Sequence, residues 1–199
     1  MILMVGGHSR KIGKSAVCAA LIRAFPQLRW TAVKVTTHAH GAANAAGSPR
    51  LVEEIPGSEA GDSGRYLAAG AARSYCLSVP PAEFAAAALE LARLTGDGHL
   101  LIESTRLREH LRPDLFLFVV DPGVADWKPA ARRWACEADA FVVAERGGPG
   151  ALTLELPSGI PRFPAPRAGY LPTELKDFVA ARLGMRQARR KRPSCSGQT

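Results

Sequence analysis

A Gly13-Lys14-Ser15 triplet stands between an apolar run, Ile2-Leu3-Met4-Val5 with Gly6-Gly7 behind it, and the helix-like stretch Ala16-Val17-Cys18-Ala19-Ala20-Leu21-Ile22. That order reads as strand, loop, helix. A loop ending in Gly-Lys-Ser at a helix N-terminus presents backbone N–H groups and the positive end of the helix dipole to an anion. In such a loop the lysine reaches the β- and γ-phosphates of a nucleotide and the serine hydroxyl sits on Mg2+. The expectation is therefore a nucleoside triphosphate, GTP or ATP, held with Mg2+ by Gly7, His8, Ser9, Arg10, Lys11, Ile12, Gly13, Lys14, Ser15 and Ala16. The usual spacing is G-x-x-x-x-G-K-[ST]. Here five residues, 8–12, separate Gly7 from Gly13, which makes a longer loop. The alternative, a chance Gly-Lys-Ser in a surface turn, accounts for neither the strand before it nor the helix after it.

The 199 residues suffice for one domain with a real core. Residues 1–185 read as that domain and 186–199 as a basic, disordered tail. Arg182, Arg186, Arg189, Arg190, Lys191 and Arg192 lie near the end with no acid among them. Setting those six aside leaves 20 basic residues against 18 acidic ones, so the formal charge of +8 falls to +2 and the body is nearly neutral. Such a tail is either a solvated terminus or a dock for an acidic partner. The body has no aromatic-interleaved basic stripe of the kind RNA modules use, which argues against a nucleic-acid partner. No apolar run approaches the ~20 residues of a membrane span. Residues 1–5 are too short for a signal peptide and read as a strand, so a cytoplasmic location is expected. Cys18, Cys76, Cys136 and Cys195 form no C-x-x-C pair, and reduced structural thiols are the default.

Apolar runs alternate with helical patterns, the signature of βαβ units and a mainly parallel sheet in a three-layer α/β fold. Strands are expected at 2–5, 31–35, 75–79, 99–102, 115–120 and 138–143. Helices are expected at 14–24, 62–69, 81–94 and 173–183. Residues 37–61, rich in Gly, Ala, Pro and Ser, read as one long irregular segment that closes over a second substrate or meets a partner.

In doubly wound folds the working groups lie at the carboxyl ends of strands. Glu103 follows the apolar run His99-Leu100-Leu101-Ile102 and is either a metal ligand or a salt-bridge partner of Arg106. Asp62 is either an N-cap or a metal ligand. Lys34, inside the run Thr31-Ala32-Val33-Lys34-Val35, points toward phosphates or a substrate anion, or else snorkels from an edge strand. His8, His38 and His40 are read as loop or substrate-contacting residues in preference to a zinc cluster, since H-x-H supplies too few ligands. Asp121-Pro122 ends the strongest strand and either caps the next segment or acts chemically. No Asn-Lys-x-Asp guanine-reading motif and no G-x-S-x-G elbow occur, so the base is open and serine-hydrolase chemistry is unsupported.

Three segments together resemble the MobB family, the molybdopterin-guanine dinucleotide biosynthesis protein B group of P-loop proteins. They are loop 7–15, the run Ala32-Val33-Lys34-Val35-Thr36-Thr37-His38, and the stretch Gly61-Asp62-Ser63-Gly64-Arg65-Tyr66-Leu67-Ala68-Ala69-Gly70-Ala71. The longer spacer in the loop resembles that of dethiobiotin synthetase, a related enzyme. The resemblance spans about residues 1–105; where MobB proteins usually carry glycine after the strand-end glutamate, this chain has Ser104. It implies a P-loop containing nucleoside triphosphate hydrolase fold, with Lys14 and Glu103 as the catalytic pair and Mg2+ on Ser15, Asp62 and Glu103. It further implies a slow accessory NTPase in molybdenum-cofactor maturation, with a protein partner and a homodimer. The dethiobiotin-synthetase likeness implies instead an ATP-dependent ligase or kinase on a small acid, with Lys34 and Lys11 on the substrate anion. A nucleotide-controlled interaction module docking through its basic tail is the third reading.

Overall fold

A computed structural model of the chain describes residues 1–37, 48–55, 63–95, 98–144 and 156–184. Its centre is an eight-stranded sheet in the order β3-β4-β2-β5-β1-β6-β7-β8. The strands are β1 (Ile2–Gly7), β2 (Thr31–Thr36), β3 (Arg50–Glu53), β4 (Arg73–Ser78), β5 (Leu100–Glu103), β6 (Leu115–Val120), β7 (Ala140–Val143) and β8 (Arg162–Pro164). Every neighbouring pair is parallel except β3 with β4.

Helices cover both faces, as a buried parallel sheet requires. On one face, Leu3 and Val5 of β1 and Leu115, Leu117 and Val119 of β6 form a core with α1 (Lys14–Ala24), α2 (Gly64–Ala68) and α5 (Thr173–Arg182). On the other face, Met4, Phe116, Phe118 and Val120 pack with α3 (Phe84–Thr95) and α4 (Pro129–Ala135). The period-2 alternation of side chains splits the central strands β1, β2, β5 and β6 between the two cores. The expected three-layer, mainly parallel α/β architecture is thus observed.

Several boundaries differ from the sequence reading. β1 runs through Gly6 and Gly7, which pair with Phe118 and Val119 of β6. Glycine is needed at both positions because the neighbours leave no space. A Cβ on Gly6 would lie 2.8 Å from the Phe116 ring, and one on Gly7 would lie 2.7 Å from Ile12 Cδ1 and 2.8 Å from the Val119 carbonyl oxygen. The segment 37–61, read as irregular throughout, contains β3, an antiparallel edge strand on β4. Only Leu51 and Val52 of its four residues are apolar, too few to show a period. The sequence pattern does not announce α4 or β8 either; α4 is short and rich in arginine, and β8 is a three-residue edge strand. The helix expected from 81 begins at Phe84, after a turn closed by the Glu83 N–H donating to the Pro80 carbonyl. The strand expected from 138 begins at Ala140. No helix among the described residues is long and apolar enough to cross a membrane.

Gly7→Ala drives a methyl into a backbone carbonyl that cannot move aside. The expected cost is about 1–3 kcal/mol of stability, the scale of core overpacking. Denaturant titration reads it, and an unchanged midpoint contradicts this packing.

Candidate functional site

Parallel register brings together the residues on which the site rests. Lys34 of β2 is the direct partner of Glu103 of β5, and Val5 of β1 is the partner of Glu103 on its other side. Lys34 and Glu103 lie in alternation with Ala32 and Leu101, which belong to the α1-side core. Both therefore rise on the face where α1 begins.

Ser15, in the first turn of α1, donates from Oγ to Glu103 Oε2 at 2.7 Å. Lys34 Nζ lies 3.2 Å from Ser15 Oγ and 3.3 and 3.4 Å from the two Glu103 oxygens. The Tyr66 hydroxyl, arriving from α2, also donates to Glu103 Oε2. The carboxylate, only 7% exposed, is thus held by donors from three other elements. A buried charge demands such pairing. Burial pushes the Tyr66 phenol well above its ordinary pKa, so it stays a proton donor. The Cys18 thiol beside it is likewise pushed up by burial and is inert.

The loop between β1 and α1 turns on two left-handed residues, Lys11 at φ 56° and Gly13 at φ 100°. Gly13 has open space where a Cβ would stand, so its backbone conformation is what calls for glycine. Lys14 folds back along the loop and donates from Nζ to the Ser9 carbonyl at 2.6 Å. Burial lowers its pKa, Glu103 opposes that shift, and Lys128 and Lys34 add to it. Ile12 is buried against Gly7, so its side chain belongs to the core. Arg10, Lys11 and Ala16 are exposed.

His8 departs from the expectation of a loop histidine facing ligand. It is fully buried and its ring turns to the segment after β6. Its Nε2 accepts from the Asp121 N–H at 3.0 Å, and its Nδ1 lies 3.1 Å from the Asp126 carbonyl, which fixes the neutral tautomer protonated on Nδ1. The ring stacks on Trp127 at 4.8 Å between centroids. Ser9 Oγ donates to Asp126 Oδ2, and the Lys128 N–H donates to the His8 carbonyl. Residues 121–128 therefore buttress the loop, a role that the sequence pattern does not mark. Asp121 is nearly fully buried and its Oδ1 accepts from the Gly123 N–H in a local turn. Thr105 is a further residue that no motif singles out: its hydroxyl accepts from the Gly7 N–H at 2.8 Å and donates to the Gly7 carbonyl at 2.9 Å.

Two of the alternatives that the sequence leaves open fall away. The partner of Glu103 is Lys34 and not Arg106, whose guanidinium lies over the Phe84 ring and donates to the Pro81 carbonyl. Lys34 does not snorkel from an edge, because β2 is flanked by β4 and β5. Ser63 stands at the N-cap of α2 but makes no capping bond; its hydroxyl donates to Glu54. Asp62, His38 and His40 lie outside the described residues.

A parallel sheet with helices on both faces, and a Gly-Lys-Ser loop joining its β1 strand to α1, defines the P-loop nucleoside triphosphate hydrolase fold. The solved structure of LpxK from Aquifex aeolicus, an "apo" form in complex with ATP, shares that fold with this chain. Its TM-score is 0.50 at 18% sequence identity, over 82% of this chain and 53% of LpxK. The chain thus spans about half the length of that protein. No family model matches the chain, and no curated protein matches it.

Burial holds the His8 imidazole below its ordinary pKa, while Asp126 and Asp121 oppose the shift. An unfolded histidine titrates near ~6.5 and takes up its proton first on acidification. His8 therefore contributes stability above about pH 6.5 that is lost as pH falls below it. Denaturant midpoints measured from pH 8 to 5 should fall more steeply for the parent than for His8→Phe. Parallel profiles refute the buried neutral imidazole.

Proposed function

We propose that this chain is a Mg2+-dependent nucleotide-binding P-loop protein that takes ATP or GTP on loop 7–15. The observation that carries the reading is the convergence of Ser15 Oγ, the Glu103 carboxylate and the Lys34 ammonium at the N-terminus of α1. Backbone N–H groups of Gly13, Lys14 and Ser15 begin that helix, where the dipole favours phosphate. Lys14 exchanges its bond to the Ser9 carbonyl for the β- and γ-phosphates. That bond is made to a neutral carbonyl, and a charged phosphate is the stronger partner.

Ser15 Oγ and Glu103 Oε2 are hard oxygen donors 2.7 Å apart, the chemistry Mg2+ selects. They would hold the ion directly or through water, with Asp62 as the third protein group. When bound, Mg2+ supplies charge neutralisation on the β- and γ-phosphate oxygens. The chain's own residues position and stabilise. Lys14 meets the charge that develops on the transferred group, and Glu103 orients Ser15 or a water. Tyr66 and Thr105 hold Glu103 and Gly7 in place. Positioning and electrostatics of this kind dominate phosphoryl transfer.

Nucleotide binding is further supported by the fold shared with LpxK, solved in complex with ATP. The narrower reading, a MobB-like accessory NTPase of molybdenum-cofactor maturation, rests on the motif resemblance of 7–15, 32–38 and 61–71. The ligase or kinase reading is favoured by Lys34, which stands beside Ser15 at the start of α1, where a substrate anion would meet it.

Calorimetric titration with ATP and GTP analogues, with and without Mg2+, tests the reading. Mg2+-dependent binding of one of them is expected, weakened on the order of tenfold or more in Lys14→Met, which removes a charge-assisted contact. Absence of binding by the parent refutes it. Glu103→Gln keeps the shape of the side chain and one acceptor oxygen but loses the charge. It should fold, and lose Mg2+ dependence and turnover. Binding, metal dependence and hydrolysis equal to the parent's remove Glu103 from the site.

A further inference from the structure

Lys34 stands where a lysine is hard to account for by folding alone. β2 lies between two parallel neighbours, and its residues Ala32 and Val33 are fully buried. Lys34 follows them with a side chain only 20% exposed. Its ammonium is shared between a hydroxyl oxygen at 3.2 Å and a carboxylate at 3.3 and 3.4 Å. Those oxygens, Ser15 Oγ and Glu103 Oε1 and Oε2, are the donor set that suits a hard divalent cation. The protein's own cation already sits against it.

We propose that Lys34 is the resident counter-ion of the Ser15–Glu103 oxygen pair, making divalent-metal binding there conditional on nucleotide. The inference rests on the nucleotide-binding reading above. A divalent ion on Ser15 and Glu103 would lie within a few ångströms of the ammonium, and like charges at that range repel strongly even at surface-like dielectric. In the free protein the ammonium therefore keeps the metal off. A triphosphate in the loop brings new anionic oxygens to the same end of the sheet. Lysine is a compact charge on a flexible four-carbon stem, so it can change partners without moving the backbone. Once Lys34 pairs with phosphate, the oxygen pair is released to the ion.

Glu103 itself need not move during this exchange. Tyr66 Oη and Ser15 Oγ hold Oε2 independently of Lys34. In the free protein the Lys14 ammonium donates to the Ser9 carbonyl, which leaves Lys34 as the cation in contact with both Ser15 and Glu103. The coupling is reciprocal: a metal that needs nucleotide to bind must tighten nucleotide by the same factor.

The test is Mn2+ binding to the full chain without nucleotide, followed by electron paramagnetic resonance, for the parent and Lys34→Met. The variant should bind Mn2+ on the order of tenfold or more tightly than the parent, because a like charge has been removed. Lys34→Arg, which keeps the charge, should show no gain. The double variant Lys34→Met with Glu103→Gln should lose the gain, placing the ion on that carboxylate. Should Lys34→Met fail to fold, Lys34→Gln carries no charge, still donates to Glu103, and gives the same readout. Equal Mn2+ affinity in the parent and the uncharged variant overturns the inference, as does a gain that survives loss of Glu103. A parent that binds nucleotide yet shows no such gain keeps the nucleotide reading and refutes only the role of Lys34. A parent that binds no nucleotide refutes that reading, and with it the conditional coupling, even where the gain is seen.

Discussion

The Glu103 carboxylate is the interaction on which the rest of the candidate site depends. It ends β5 and accepts hydrogen bonds from Ser15 of α1, Tyr66 of α2 and Lys34 of β2. One buried anion thereby fixes the start of α1, the seat of α2 and the side chain of the neighbouring strand. The arrangement is strong only as a whole. A buried charge stripped of a partner costs far more than the partner's bond is worth. The same carboxylate has two oxygens that a metal favours, so the structural tie and the proposed chemistry share one group.

The loop between β1 and α1 is held from below and from the side. Gly6 and Gly7 let β1 pass close to Phe116 and the Val119 carbonyl, and the Thr105 hydroxyl bridges both polar groups of Gly7. From the side, His8, Ser9 and residues 121–128 form a lattice of hydrogen bonds around the stacked His8 and Trp127 rings. Lys14 and Lys34 gather beside this loop at the start of α1. Lys128, lowered by burial and by Arg10, adds charge to that side. The concentration of cations suits an anionic ligand.

Much of this is legible in the chain. Gly13-Lys14-Ser15 between a strand and a helix marks the loop, and a glutamate after four apolar residues marks a strand end. What cannot be read is adjacency. Arg106 is three residues from Glu103 in sequence, and Lys34 is 69 away. Yet the order β2-β5-β1 makes Lys34 the neighbour, while the short 3-10 turn Arg106–Glu109 carries Arg106 off toward Phe84. His8 reads as a ligand-side residue because it lies within the loop's sequence. Its partners Asp121 and Asp126 come from beyond β6, and no local pattern announces them. The edge strands β3 and β8 escape because short edges carry few apolar residues, so hydrophobic periodicity has nothing to work on.

The central claim is that phosphate is held by loop 7–15 with Glu103 and Lys34 beside it. Amide chemical-shift mapping with a non-hydrolysable ATP or GTP analogue and Mg2+ tests it most directly. The account predicts the largest shifts at Gly13, Lys14 and Ser15, with further shifts at Lys34 and Glu103 and little change along α3 or α5. Shifts centred elsewhere on the molecule, with the start of α1 unmoved, would contradict it.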